Sequence, residues 1–397
     1  LPVQRLAALR QAMQKQGIDA WIIPSADPHL SEYLPEHWQG RRWVSGFTGS
    51  VGTLVVTAST ADLWADSRYW EQATAQLAGT GIQLQKLGRG RTHVEALAEA
   101  LGQGAVVGVA PDMLSRAAKR QLEQAFVAKG IQLRADTDLL AGIWTERPAP
   151  PAEPVVVHAA EFVSETAAEK LARVRAAMQE KGAAHHLISS LDDIAWLTNL
   201  RGNDVSYNPV FLAHLLIGAS SATLYVDDSR LTAPAREALV VAGISVAPYE
   251  KVADDIARLS DSLLVDPAKV AASTLQSLKG TVPVIESVNP STLFKSVKSP
   301  ADVAHTREAM IEDGVALCHF FADFEARLAR GEVLNELDID RMLLEFRSQR
   351  PNFVSPSFGT IAGFNANAAL PHYSATPEAF SEIRGDGLLL IDSGGQY

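Results

Sequence analysis

The sequence predicts an α/β protein made of two copies of one module followed by a third, different segment. Three observations carry that expectation. Residues 170–182 echo residues 5–17 almost position by position, and a strand-like apolar run follows each. The copies are joined by Glu146-Arg147-Pro148-Ala149-Pro150-Pro151-Ala152-Glu153-Pro154, a proline-rich stretch of the kind that forms a semi-rigid linker. A strong helix-start signal, Ser299-Pro300-Ala301-Asp302, then opens a new region after the second copy ends near Pro290. The expected segments are residues 1–150, 155–296 and 298–397.

Residues 5–16 read as an amphipathic helix with Leu6, Leu9 and Met13 on one stripe, stopped by Gly17. Residues 19–24 read as a strand, 25–29 as a loop, and 53–57 and 61–65 as two further strands. Asp66 or Ser67 is placed to cap a helix opening at Asp66-Ser67-Arg68-Tyr69-Trp70. In the second copy, His186-Leu187-Ile188-Ser189-Ser190 stands where Trp21 to Ser25 stood, and Asp192 where Asp27 stood. In the third segment Ser299 is the N-cap, Pro300 the first helical residue, and Asp302 complements the helix dipole. That helix should run to about Arg330 and stop at Gly331; Asn335 caps a second one carried by Ile339, Leu343 and Phe346. Residues 353–363 read as irregular and lead into Asn367-Ala368-Ala369-Leu370-Pro371-His372-Tyr373. Finally, Leu388-Leu389-Leu390-Ile391 reads as a short buried strand running straight into Asp392-Ser393-Gly394-Gly395.

Composition sets outer bounds. Hydrophobic residues make up 47% and charged residues 20%, the mix of an ordinary globular chain. A net charge of −11 argues against nucleic acid as a partner, and no apolar run approaches a membrane span. The one cysteine, Cys318, excludes an intrachain disulfide and fits a reducing, cytoplasmic compartment. Among apolar neighbours on a predicted helix, it is expected in the core. The start shows no signal-peptide pattern and no initiator Met, so the natural N-terminus is expected upstream.

Several polar residues compete for function. A carboxylate ending a buried strand, as at Asp392, is costly unless a metal, a cation or turn N–H groups compensate it. Taken alone, the turn is the favoured partner, because Asp is common at turns. His372, in a loop after Pro371, reads alone as a solvated histidine. Arg68 reads alone as a solvated arginine at a helix start, where the dipole slightly disfavours it. His185 and His186 begin a strand without companion ligands and read as structural; His29 and His37 are loop residues with no ligand spacing between them. The glycine-rich stretch 46–52 leads into a strand and not a helix, which speaks against a phosphate cradle.

Taken together, the motifs resemble a known family. Lys298-Ser299-Pro300, Arg307-Glu308-Ala309 and Asp313-Gly314-Val315-Ala316-Leu317 resemble the opening helix of the peptidase family that includes aminopeptidase P. The segment from Asn367 to Tyr373 resembles that family's Asn-Gly-Ala-x-x-His-Tyr loop, with Ala368 where Gly is usual. Ile391-Asp392-Ser393-Gly394-Gly395-Gln396-Tyr397 resembles its first metal-ligand strand. Trp196-Leu197-Thr198-Asn199-Leu200-Arg201-Gly202-Asn203-Asp204, Tyr207-Asn208-Pro209-Val210-Phe211, Asp66-Ser67-Arg68-Tyr69 and Ile143-Trp144-Thr145-Glu146-Arg147-Pro148 resemble the three-domain, cytosolic type. The resemblance implies two related creatinase-N-like α/β modules ahead of the first part of a pita-bread catalytic domain. It further implies an enzyme that removes one N-terminal residue when proline is second, using two divalent metals, usually Mn2+, and a bridging water.

The implied chemistry suits the bond. An Xaa-Pro amide has no N–H, and two hard cations can ionise a bridging water and stabilise the developing oxyanion. Carboxylates and imidazole suit manganese. The family's ligands are two Asp, one His and two Glu. Asp392 would be the first, and the rest are expected beyond Tyr397, so the sequence is expected to be part of a longer enzyme. By resemblance, His372 meets the substrate near the scissile bond, and Arg68 binds peptide, from a neighbouring subunit in one arrangement. A homodimer joined through the C-terminal domain is likewise implied. Two other functions stay open: an Xaa-Pro dipeptidase or creatinase-like enzyme on the same fold, and a non-catalytic binding relative lacking the remaining ligands. The duplicated module speaks against the first, which resembles two-domain chains.

Overall fold

The computed structural model describes residues 1–88 and 90–397. Among these the chain separates into two units, Leu1–Val205 with Pro209–Val297, and Ser206–Asn208 with Lys298–Tyr397.

In the first unit the repeat is real in three dimensions. The helix Pro2–Gln16 buries Leu6, Leu9 and Met13 and ends at Gly17, whose φ of 64° is the left-handed conformation that glycine adopts freely. Its counterpart, Ala167–Glu180, buries Leu171, Val174 and Met178, and Gly182 has a φ of 69°. Each helix leads into the central strand of a six-stranded sheet, Ala20–Pro24 in one and His185–Ile188 in the other.

The two sheets share one topology. The first runs Gln83–Lys86, Ala61–Ala65, Thr53–Thr57, Ala20–Pro24, Val106–Val109, Gln132–Arg134. The second runs Ser245–Ala247, Ala222–Tyr225, His214–Gly218, His185–Ile188, Leu263–Val265, Val284–Glu286. In both, the central strand pairs antiparallel on one side and parallel on the other. Trp21, Ile22, Ile23, Leu187 and Ile188 are buried, as expected for strands covered on both faces.

Differences inside the repeat are informative. Asp27 and Asp192 match in sequence position only. Asp27 is fully buried, and its carboxylate accepts the backbone N–H groups of His29 and Ser31 at 2.9 and 3.0 Å. Asp192 is exposed on the helix Leu191–Thr198 and pairs with Lys295. The chain after the central strand is a loop in the first copy and a helix in the second, so the carboxylates meet different partners. Asp66 does cap, but it caps the 3-10 turn Ser67–Tyr69 ahead of the helix Trp70–Gln76. The proline-rich join is irregular and tied to the first copy. Arg147 pairs with Asp138 at 2.6 Å, and His37 Nδ1 donates to the Pro148 carbonyl at 2.6 Å.

The second unit is led by the helix Pro300–Ala329. Ser299 accepts the N–H of Asp302, and the Asp302 carboxylate accepts that of Ser299, a reciprocal cap. The next helix, Glu336–Ser348, is capped by Asn335, which accepts from Leu337 N and Asp338 N. Phe320, Ile339, Met342, Leu343, Ala362 and Phe364 form its buried cluster. Arg347, nearly fully buried, makes a two-point ion pair with Asp313 at 2.7 and 3.1 Å and so ties the two helices. Cys318 is exposed and not a core residue. Ala316 and Phe320, one turn apart, define the buried stripe, and Cys318 sits half a turn round from both.

Candidate functional site

Asp392 ends the strand Leu389–Asp392, which pairs antiparallel with Ile361–Phe364 and places Asp392 opposite Ile361. The strand is not buried, contrary to the expectation from four apolar residues in a row. Leu389 and Ile391 pack on the Phe320–Ile339–Phe364 cluster, while Leu388, Leu390 and Asp392 are exposed. Alternation across a strand gives one covered and one open face, and Asp392 lies on the open one.

His372 is also exposed, in a turn of the loop that follows Ile361–Phe364. A dense polar knot anchors this loop. The Glu336 side chain, only 1% exposed, accepts the N–H of Phe364 at 2.7 Å, the N–H of Ser381 at 2.7 Å and the phenol of Tyr373 at 2.7 Å. The Asn367 amide also donates to it, at 3.0 Å, and lies 3.0 Å from both Tyr373 Oη and Ser381 Oγ. Burial, and then the hydrogen bond to Glu336, push the Tyr373 phenol well above its ordinary range, so it stays a donor. Glu336 sits at the first position of its helix, where the helix dipole favours an anion.

The loop closes over its own strand. A Cβ on Gly363 would lie 2.9 Å from Ala368 N and from the Asn367 carbonyl carbon, so only glycine admits the turn Asn365–Ala369 at this distance. Ala368 sits in that turn without a positive φ, which accounts for alanine being accommodated there.

Arg68 lies in the first unit. Its guanidinium binds Asp66 through Nε and Nη2, both at 2.8 Å, and stacks over the Tyr69 ring at 5.3 Å. Tyr69 is buried, and its hydroxyl meets Ser50 Oγ at 2.6 Å. The glycine-rich stretch therefore has a structural task. Its carbonyls at Phe47 and Gly49 accept from the buried Arg41 guanidinium, the opposite polarity to a phosphate cradle. Burial pulls the Arg41 guanidinium down to about 10.

Two further features were not foreseen. His29, in its loop, is buried: Nδ1 donates to the Ser189 carbonyl at 2.8 Å and Nε2 accepts the Tyr249 hydroxyl at 2.8 Å. His214 lies beside it, ring centres 4.7 Å apart, and meets Ser189 Oγ at 2.8 Å. These contacts join the two copies, and no spacing along the chain signals them. The first unit also holds a cavity of about 520 Å³ lined by Arg116, Lys119, Arg120 and Arg134 among others. Glu286, Glu123 and Asp136 already pair with these cations, and neither Arg68, His372 nor Asp392 lines the cavity.

Among the described residues no three His, Cys, Asp or Glu side chains converge to hold a metal ion. The donors among the described residues therefore do not by themselves fit a two-metal centre. Asp392, exposed at a strand end, offers one carboxylate. His372 and Asp392 come from the two sides of one local structure, since the strand before the His372 loop is the one that pairs with the Asp392 strand.

Residues 5–139 and 146–302 match models of the creatinase/prolidase N-terminal domain, and residues 304–397 match metallopeptidase family M24. The chain is 33% identical to "Aminopeptidase P2" of Arabidopsis thaliana over 99% of its length, covering 61% of that protein. It is 39% identical to a "Probable Xaa-Pro aminopeptidase P" of Ajellomyces capsulatus over 99% of its length, covering 67% of the relative. It is also similar to the crystal structure of the X-prolyl aminopeptidase of Caenorhabditis elegans, described as a cytosolic enzyme with a di-nuclear active site. That match has a TM-score of 0.94 and 28% identity, and covers all of this chain and 68% of the other. With identity of this order carried from end to end, and the duplicated sheets and the opening M24 helices in register with it, the chain belongs to the Xaa-Pro aminopeptidase P family.

Proposed function

We propose that the protein is a metal-dependent aminopeptidase that hydrolyses the first peptide bond of substrates with proline in the second position. The observation that carries this reading is the Glu336-anchored loop bearing His372, held against the strand that ends in Asp392, in a chain 33–39% identical to aminopeptidases P. Asp392 would be one ligand of a pair of divalent ions, with Mn2+ the expected metal; bound there, the ions would supply an ionised water and a Lewis acid. The chain spans 61–67% of the length of these relatives. Since no three ligands converge among the described residues, the others would come from sequence outside residues 1–397.

His372 would act on the substrate and not on a metal. An imidazole exposed on a loop anchored at both ends can donate or accept a hydrogen bond as charge develops at the scissile amide. Arg68 would hold the peptide. A homodimer and a cytosolic location complete the reading, and sedimentation equilibrium tests the first of these; a concentration-independent monomer refutes it.

The test is made on the enzyme with its metal set complete. It should cleave an Xaa-Pro-Xaa tripeptide and leave an Xaa-Pro dipeptide nearly untouched. His372→Ala should lower kcat/KM on the tripeptide by about 10²–10⁴-fold with both metals retained. Preferential cleavage of the dipeptide would make the protein a dipeptidase. Loss of a metal in His372→Ala would make that residue a ligand.

A further inference from the structure

We propose that Glu336 is a positioning residue for the reaction: its buried carboxylate holds the 364–381 loop in the conformation that presents His372 to the substrate. The inference rests on the role given to His372 above. Four groups donate to this one carboxylate, and they come from residues 364, 367, 373 and 381, on both sides of His372. One of them, Tyr373, is its immediate neighbour.

The donors are two backbone N–H groups, an amide and a phenol, all neutral. Burying a carboxylate without a cation is costly, and simple packing would be served better by an apolar side chain. What the carboxylate supplies is geometry, since its two oxygens converge several donors on one point. The same donors could not be gathered by leucine, and the amide of glutamine would turn an N–H toward donors. The helix cap at Asn335 fixes where Glu336 starts, and Gly363 lets the turn sit close above its strand. Glu336 acts on His372 through the anchors on either side of it in the loop.

The distinguishing experiment is a double-mutant cycle on the active enzyme. Glu336→Gln should lower kcat by about 10²-fold on an Xaa-Pro tripeptide with KM little changed, the effect of displacing a reacting group by about 1 Å. In a His372→Ala background the same substitution should have almost no further effect, because the residue it positions is gone. A purely structural role would reduce activity by the same factor in both backgrounds. Tyr373→Phe removes one donor and leaves the carboxylate in place. It should lower kcat less than Glu336→Gln, again only when His372 is present, and it serves if Glu336→Gln fails to fold. Amide hydrogen exchange over residues 365–373 should rise in both variants. Equal losses in the two backgrounds, or unchanged exchange, overturn the proposal. Full activity in His372→Ala overturns the role of His372 and this proposal with it, whereas a large loss there beside a silent Glu336→Gln overturns this proposal alone.

Discussion

At the scale of single residues, exposure separates chemistry from architecture. Arg68 leaves 45% of its side chain in solvent, and its two-point pair with Asp66 is a surface pair of the kind worth at most about 1 kcal/mol. Arg68→Ala should therefore leave the melting temperature within a few degrees of the wild type while weakening peptide cleavage. A large drop in melting temperature with intact kinetics would return Arg68 to a structural role. Buried polar residues show the opposite logic. Asp204, in the motif that resembles the cytosolic-type enzymes, is buried against Arg230 at 2.5–2.6 Å and also accepts Leu212 N at 2.7 Å, so its task is to fasten its own module. Asp204 and Asp392 both stand in stretches that carry the family resemblance, but Asp204 is buried and paired whereas Asp392 is exposed at a strand end.

Among elements, the pair of helices opening the second unit is tied by one ion pair, between the buried Arg347 and the half-buried Asp313. Burial pushes the Asp313 carboxyl up, yet the hydrogen bonds and charge of Arg347, with the Tyr397 hydroxyl at 3.0 Å, bring it below its ordinary value. Removing Arg347 would leave the half-buried Asp313 carboxylate without its cation and a gap where the buried arginine packed, so Arg347→Ala should cost about 3 kcal/mol in urea unfolding. A double replacement, Asp313→Asn with Arg347→Leu, should recover a good part of the loss; a cost under about 1 kcal/mol for Arg347→Ala would show that the pair does not hold the helices. The helices themselves were legible, because caps and apolar periodicity are local signals: Ser299, Asp302, Asn335, Ile339 and Leu343 do what their spacing predicts. The burial of the last strand was not legible. A run of leucines gives no period, and the alternation that leaves Leu388, Leu390 and Asp392 outside comes from pairing with Ile361–Phe364. Glu336 escaped for a related reason. In sequence it is one more acid in a first helical turn, and its partners lie 28 to 45 residues away.

Over the whole molecule, the duplicated module was readable because a repeat is a signal spread along the chain, whereas the joint between the copies is a matter of side chains that meet only after folding. That joint contains histidines. Burial lowers His29, outweighing the pull of Asp27, Asp204 and Asp112 toward protonation, and burial together with the charge of His29 holds His214 well below its usual value. In the second sheet His186 is fully buried; burial brings it down to about 4 although Asp193 and the Leu264 carbonyl act the other way. Each of these groups is neutral when folded and takes a proton near pH 6.5 when unfolded. The unfolded chain then binds more protons, so stability is fully present above about pH 6.5 and is lost as pH falls from there toward 4. His186 alone would contribute a loss of about 2 kcal/mol at pH 5, as follows from about 1.4 kcal/mol per unit of pH between its unfolded and folded values. Carboxylates such as Asp193 and Glu286, held below their ordinary range, begin to matter only at lower pH. The urea midpoint should therefore fall clearly between pH 7.5 and 5.0, and His186→Phe, which cannot take up a proton, should show a smaller fall than the wild type. An unchanged midpoint over that interval would mean that these imidazoles accept protons in the folded state, and that the joint between the copies is wetter than its geometry indicates.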